Sequence, residues 1–235
     1  ITSGSKNDKR KINGFDVFYL KKRPFLPRNP RILGLSKKLN DIKPDIVHIH
    51  SIWFYSSYQA IKQKKKLGYK IVNTVHGVYP DSASFAVKFF LFLFKPIAQK
   101  ILKESDKIIV LTGSEKEKLI RFFNVPSQKI KVIENGIDQV NPDQNELKSV
   151  NAKIGSPYIL FTGRIIPDKN PDILIKAFNK IRKDNNIKLV FLGPIDDSYK
   201  NFLLDLSETP NEIVFVPPIN PIEDAGLLAC YYNQA

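Results

Sequence analysis

Several residue types that would fix a chemistry at once are scarce in this 235-residue chain. There is one cysteine, Cys230, so no internal disulfide forms and no thiolate zinc site can be built. On that ground the chain reads as intracellular or indifferent to redox state. Three histidines leave little material for a metal cluster. Methionine is absent altogether and the chain starts abruptly at Ile1, which points to a piece of a longer protein. No signal-peptide pattern opens it. Apolar runs are short. The strongest, Phe89 to Phe94, is bracketed by Lys88 and Lys95, whereas a spanning helix needs about 18 consecutive apolar residues.

What is present is globular in kind: 43% apolar and 26% charged residues, with 16 Phe and 9 Tyr, which excludes a disordered tail, a collagen or a coiled coil. The net charge is +14, and its distribution is informative. Residues 1–138 hold 27 basic and 11 acidic residues, while residues 139–235 hold 10 and 12. A basic first part beside a near-neutral second part suggests two modules, the first facing something anionic. Nucleic acid, an anionic membrane surface and phosphorylated lipids all meet that description.

Short β-rich runs alternate with helical patterns. The runs are Asp16 to Leu20, Asp45 to His50, Lys70 to His76, Lys107 to Thr112 and Lys129 to Ile133, with helices expected near 30–40, 56–67, 85–104 and 114–123. Strands spaced by helices predict βαβ units and a parallel sheet. Ser114 followed by Glu117 reads as a capping box opening a helix. Residues 139–156 are polar, turn-rich and without periodicity, and they coincide with the charge change; the linker is placed there, between domains at 1–138 and 157–235. The alternation then restarts: strand 158–162, helix 171–183, strand 188–192, helix near 198–207, strand 212–216 and helix near 220–232. Asn170-Pro171-Asp172 is a helix start, with an N-cap, a proline at the first helical position and an acid facing the dipole. Three strands are fewer than the five or six of a doubly wound sheet, and no opening strand with a glycine-rich turn precedes the first module. Both ends are therefore expected to be cut, with the second domain incomplete and the piece by itself inactive.

In parallel α/β sheets ligands bind beyond the carboxyl ends of the strands, so the residues that follow each strand carry the functional argument. Strand 158–162 leads into Gly163-Arg164, then Lys169, then the helix start. Glycine admits a ligand to the backbone, the helix N-terminus offers free N–H groups, and Arg164 and Lys169 add two cations. The set reads either as a diphosphate clamp or as a solvated basic loop. Strand 70–76 ends at His76-Gly77, a histidine that either meets a substrate or closes a loop structurally. His48 and His50 share a strand face and have no cysteine or carboxylate cluster beside them, so they read as a polar strand end rather than a metal pair. Trp53, Phe54 and Tyr55 follow that strand and read first as core cover. Asn135-Gly136 is a sharp turn. Gly193-Pro194 and Pro217-Pro218 end the later strands, either exposing backbone to a flat ring or forming rigid loops. The segment 85–104 reads first as a buried helix broken near Pro96 and second as an interfacial amphipathic helix, a reading to which the run Lys62, Lys64, Lys65, Lys66 on the same module adds weight.

The order DIVHIHS, TVHG, IIVLTGSEKEKL, IKVIENGID, ILFTGRIIPDKNPDILIKAF, KLVFLG resembles the retaining family 4 glycosyltransferases, which have two Rossmann-like domains (the GT-B fold). The resemblance runs from about Phe15 to Ala235. It implies an α/β fold of two such domains, an acceptor-side N-terminal domain and a nucleotide-sugar-binding C-terminal domain. It implies further that Gly163, Arg164 and Lys169 hold the donor diphosphate, that His76 is the catalytic-site histidine lying against the donor sugar, and that the loop at Pro217 and Pro218 meets the nucleobase. Three departures stand out. Lys169-Asn170 replaces the usual Lys-Gly, Pro194 stands where many members have a second glycine, and the glycine usual near Pro217 or Pro218 is missing. The glycine-rich loop after a first strand and the E-x7-E motif of the second domain are not in the chain.

The expected activity is transfer of a sugar from a nucleotide diphospho-sugar to an acceptor hydroxyl, with retention at the anomeric carbon. Stabilising the leaving diphosphate with two cations and a helix dipole asks for no metal and no cofactor. The expected partners are the nucleotide-sugar, a carbohydrate or lipid-linked acceptor and an anionic membrane surface, with no nucleic acid; the expected location is cytoplasmic, peripheral on the inner face of the membrane. A sugar-nucleotide epimerase or hydrolase of the same fold, and a basic nucleic-acid-binding module, are the alternatives.

Overall fold

The structure is a computed structural model. It describes residues 1–26, 29–78, 85–136, 140–155, 157–182, 185–221 and 223–235. The chain divides into two units, Ile1–Gly136 and Ile137–Ala235.

The first unit contains two sheets. One is a small sheet of β1 (Thr2–Gly4), β2 (Asp8–Ile12), β3 (Phe15–Leu26) and β4 (Asn29–Ile32). β2 and β3 are antiparallel with Ile12 opposite Phe15, so Asn13 and Gly14 alone make the turn, at φ 49° and 82°. Two positive φ values in a two-residue loop are the turn that matches the twist of a hairpin, and Asn-Gly is the dipeptide that adopts it most readily. This corrects the expectation for residues 16–20. They are not the first strand of the parallel sheet but part of a long strand paired antiparallel with β2 and β4, and parallel with β1.

The other sheet is the βαβ layer. β5 (Ile46–His50), β6 (Lys70–Val75), β7 (Lys107–Val110) and β8 (Ile130–Val132) lie in that order, all parallel. α1 (Leu35–Ile42) precedes β5, and α2 (Tyr55–Leu67), α3 (Phe85–Glu104) and α4 (Gly113–Phe123) connect the strands. Apolar residues of the strands and helices, among them Ile71, Val75, Ala98, Ile101, Ile108 and Leu119, are fully buried together. Tyr69 is buried with them and donates to the Ala60 carbonyl; burial pushes its phenol up to about 12.

Two local expectations for this unit need correction. α3 is not broken at Pro96: the helix is continuous and Pro96 lies on its exposed side. The helix expected to open on Ser114 opens two residues earlier. Thr112 is the N-cap, its hydroxyl accepts from Glu115 N–H at 3.2 Å, and the Glu115 carboxylate accepts from Leu111 N–H at 2.9 Å. Both pairs have the S/T-x-x-E spacing. Thr112 wins because β7 ends two residues before it, leaving it in the extended conformation an N-cap requires.

The second unit begins with α5 (Gln144–Ile154), where a linker was expected. Asp143 caps this helix by accepting from the N–H groups of Asn145 and Glu146, and Gly155 ends it. Its spacing of Leu147, Val150 and Ile154 is helical after all. These residues pack against α8 (Ala225–Asn233), so the polar outer face masked a short apolar stripe. Residues 139 and 156, which bounded the expected linker, lie outside the described residues. β9 (Tyr158–Thr162), β10 (Lys188–Leu192) and β11 (Ile213–Val216) form a parallel sheet in the order β11-β10-β9. β10 is apolar on both faces. Val190 and Leu192 join the α5 and α8 side with Tyr158, Cys230 and Tyr231, while Leu189 and Phe191 join the side of α6 (Pro171–Ile181) and α7 (Asp197–Asp205) with Ile175, Phe178 and Leu203. Helices on both faces explain why these strands read as unbroken apolar runs.

Candidate functional site

In the second unit the three strands end together. Gly163 follows β9 at φ 127°, and Gly193 follows β10 at φ 146°. Gly163 N–H donates to Leu192 O at 3.0 Å, Gly193 N–H to Val216 O at 3.1 Å and Ile165 N–H to Pro194 O at 3.0 Å, so the ladder continues one step past the strands. The glycines are close: a Cβ on Gly193 would lie 2.0 Å from the Gly163 carbonyl oxygen. Gly193 is buried, and its missing side chain makes room for the Gly163 backbone; Gly163 is exposed with open space around it, so a ligand can approach its backbone.

Arg164 leaves that edge exposed, while its neighbour Ile165 is buried and pins the loop to the core beneath. A single 3-10 turn, Pro167–Lys169, then leads to α6. Asn170 takes the N-cap position at φ 52° but no side chain caps the helix, so the expected position is right and the expected side-chain hydrogen bond is not made. Lys169 is exposed at the end of the 3-10 turn. Among the described residues neither the Arg164 nor the Lys169 side chain has an ion-pair or hydrogen-bond partner. Two unpaired cations beside an uncapped helix N-terminus and a bare backbone edge are the elements of an anion site. Pro217 and Pro218 are exposed immediately after β11, on the same carboxyl edge of the sheet. Thr162, the last residue of β9, shares a hydrogen bond of 2.7 Å with the Tyr232 hydroxyl from α8.

In the first unit all three histidines of the chain come together. β5 and β6 are adjacent and parallel, so residues at their carboxyl ends are neighbours. His50 Nδ1 lies 2.9 Å from His76 Nε2, with ring centroids 5.2 Å apart and planes at 14°. His48 also stacks on His50, at 4.6 Å, and shares a 2.7 Å hydrogen bond with the Thr74 hydroxyl. Desolvation by burial, then His48 and His76, hold the His50 imidazole below the usual histidine range, so its neutral form is favoured. The turns that follow these strands are tight: Ser51 sits at φ 73° with its N–H on Thr74 O, and Gly77 at φ 104°. Trp53 Nε1 donates to Gly77 O at 3.3 Å, and its ring packs at 6.3 Å from Phe94 and 6.0 Å from Phe123. Trp53 is thus core cover that ties the His76 loop down. His50 as a partner of His76 was missed from sequence; the signal was a histidine at the carboxyl end of each of two neighbouring strands. Among the described residues no group of three or more His, Cys, Asp or Glu is arranged to hold a metal ion.

A family model described as "Glycosyltransferase Family 4" matches residues 2–140, and one described as "Glycosyl transferases group 1" matches residues 143–223. An uncharacterised glycosyltransferase of Methanocaldococcus jannaschii is 29% identical over 222 residues, covering 83% of this chain and 53% of that protein. The D-inositol 3-phosphate glycosyltransferase of Rhodococcus jostii is 24% identical over 198 residues, covering 74% of this chain and 42% of that protein. The chain thus spans about half the length of these curated relatives. Among solved structures, sucrose-phosphate synthase from Thermosynechococcus elongatus has a TM-score of 0.70 at 18% identity over 99% of this chain and 61% of its own. The Anabaena protein HepE in complex with UDP and glucose has a TM-score of 0.62 at 14% identity, over 89% and 57%. At such identities the likeness is one of fold, the α/β GT-B class with Rossmann-like parallel layers. On the match to most of its length, the chain belongs to the family 4 glycosyltransferases, with a group 1 segment following.

Proposed function

We propose that this family 4 glycosyltransferase chain is the part of a retaining enzyme that moves a sugar from a nucleotide diphospho-sugar to an acceptor hydroxyl. The observation that carries the reading is the pair of unpaired cations, Arg164 and Lys169, flanking the uncapped start of α6 beside the Gly163–Gly193 backbone edge. As the glycosidic bond breaks, negative charge grows on the diphosphate. Arg164 presents a planar fork to it, Lys169 a compact charge and α6 the positive end of its dipole. No metal ion is then required for that stabilisation, and no cofactor besides the sugar nucleotide itself. The exposed loop at Pro217 and Pro218 serves the nucleobase.

In this reading the second unit (Ile137–Ala235) holds the donor, and the basic first unit (Ile1–Gly136) holds the acceptor. His76, held by His50 at 2.9 Å, serves the sugar. The surplus of basic residues in the first unit suits an acceptor that is lipid-linked or lies near an anionic membrane, which would place the enzyme on the cytoplasmic face. The Anabaena relative in complex with UDP and glucose supports a uridine diphospho-sugar as the first donor to try.

The test is a thermal-shift screen of the full-length enzyme of which this chain is a part, with uridine, guanosine and adenosine diphosphates, followed by product analysis with the sugar nucleotide of the stabilising base. Transfer to an added acceptor with the donor's anomeric configuration kept is the expected result. Conversion of the sugar nucleotide without any acceptor would instead assign an epimerase or hydrolase.

A further inference from the structure

α3 faces the interior of the first unit with Leu91, Phe94, Ala98, Ile101 and Leu102, at most 5% exposed. Its opposite face is apolar as well. Phe85, Phe89, Phe92 and Leu93 are exposed by 84, 54, 68 and 60%. Spacings of four and three place Phe85, Phe89 and Phe92 in one line along the helix, with Leu93 beside them. Single exposed apolar residues call for no explanation, but a contiguous aromatic stripe in water does. The same line continues through Pro96 to Lys100 and Lys103, both exposed, while Lys88 and Lys95 flank it. None of these four lysines has an ion pair among the described residues.

We propose that the outward face of α3 docks on an anionic lipid membrane, with Phe85, Phe89, Phe92 and Leu93 at the boundary of headgroups and acyl chains and the four lysines among the headgroups. Charge decides the occupant. The first 138 residues carry 27 basic against 11 acidic residues, so a second copy of this chain would bring two strongly positive surfaces together, whereas acidic lipid complements both the stripe and its surroundings. The geometry suits lying in the interface rather than crossing it. The helix has 20 residues with lysines throughout, and no helix among the described residues is long and apolar enough to cross a membrane. The α2 lysine run is a weaker basis than its sequence suggested. Lys64 is committed to Asp106 at 2.7 Å and to the Glu104 carbonyl at 2.6 Å, where it joins α2 to the end of α3. The proposal goes beyond the transfer reaction and does not depend on it.

Vesicle co-sedimentation of the purified protein tests it, with phosphatidylcholine vesicles against vesicles enriched in phosphatidylglycerol, at low and high salt. Wild type is expected to sediment with the anionic vesicles at low salt. Phe85→Ser/Phe89→Ser/Phe92→Ser should lose about tenfold or more of that binding, and Lys88→Gln/Lys95→Gln/Lys100→Gln/Lys103→Gln should lose the preference for anionic lipid. Because Phe85, Phe89 and Phe92 are exposed, the serine variant should keep the wild-type melting temperature; Lys95 is half-buried and lies 5.8 Å over the Phe123 ring, and Lys100 lies 5.7 Å over Tyr58, so the melting temperature of the glutamine variant is measured alongside its binding. Phe92→Trp provides a second readout that needs no disruptive change: its fluorescence should shift to the blue with anionic vesicles and be quenched by brominated lipid. Wild type failing to bind, the serine variant binding as wild type does, or an unshifted emission spectrum from the Phe92→Trp variant would each overturn the proposal. So would a wild-type dimer that ignores vesicles and is dissolved by the serine changes, which would assign the face to a second copy.

Discussion

Gly193 and Gly163 meet backbone to backbone at the carboxyl edge of the second unit's sheet, so close that a Cβ on Gly193 would stand 2.0 Å from the Gly163 carbonyl oxygen. The reverse is not true, since a Cβ on Gly163 would meet nothing within 4 Å. Gly193→Ala must therefore push two strands apart as well as strain its own backbone, whereas Gly163→Ala carries only the strain of φ 127°. The expected costs are about 3 kcal/mol or more for Gly193→Ala, and about 1–2 kcal/mol for Gly163→Ala. Urea unfolding of the two variants checks this. Equal, small losses would mean that the strand ends are not held as described.

The capping of α4 separates two readings of one stretch. Thr112→Ala should cost about 1 kcal/mol because the Glu115 N–H loses its acceptor, while Ser114→Ala should be close to neutral. Chemical denaturation of the pair measures it, and the opposite order would restore the box expected from sequence.

Much of the fold was legible because the strands of both parallel sheets are apolar, short and bounded by turn residues. β9 and β10 lie at the expected residues, and the other parallel strands are within two residues of them at each end. Three features escaped for physical reasons. The Asn13-Gly14 hairpin was hidden because β2 and the stretch Lys21, Lys22, Arg23 of β3 are charged and exposed at consecutive positions, with no apolar alternation to mark a strand. α5 was hidden because only Leu147, Val150 and Ile154 of its eleven residues face the core. The aromatic stripe of α3 could not be separated from core, since sixteen Phe residues in a sequence do not say which of them find a partner. The grouping of Gly163, Arg164 and Lys169 between β9 and α6 was readable because they lie near one another in sequence. The His50–His76 contact spans 26 residues and needed the strand register.

That contact gives a pH dependence of definite sign. His50 is held below its ordinary value of 6.5 by burial first and by His48 and His76 second, so the unfolded chain binds a proton there more readily than the folded one. Its contribution to stability is intact above about pH 6.5 and is lost as the pH falls from there through the lowered folded value. Denaturation midpoints measured from about pH 8 down to about pH 5 should fall, and His50→Gln should flatten the profile in that window. An unchanged slope in the variant would remove His50 as its cause.

Tyr158 and Tyr231 tie β9 to α8. The Tyr158 hydroxyl donates to the Tyr231 carbonyl at 2.7 Å in a site where Tyr158 is 3% exposed, and burial pushes its phenol up to about 12. Tyr158→Phe leaves that buried carbonyl without its donor and should cost about 1–2 kcal/mol. An unfolding curve superimposable on that of wild type would show that water replaces the bond.

The central claim is that Arg164 and Lys169, at the start of α6, hold the donor's diphosphate. Isothermal titration of the protein with the nucleoside diphosphate that stabilises it measures this directly. Loss of one charge-assisted contact is worth about 1.5–3 kcal/mol, so Arg164→Ala and Lys169→Ala should each weaken binding by roughly 10- to 100-fold, at unchanged melting temperature because both side chains are exposed and unpaired. Wild-type affinity in both variants would contradict the claim and leave the pair as a solvated basic loop.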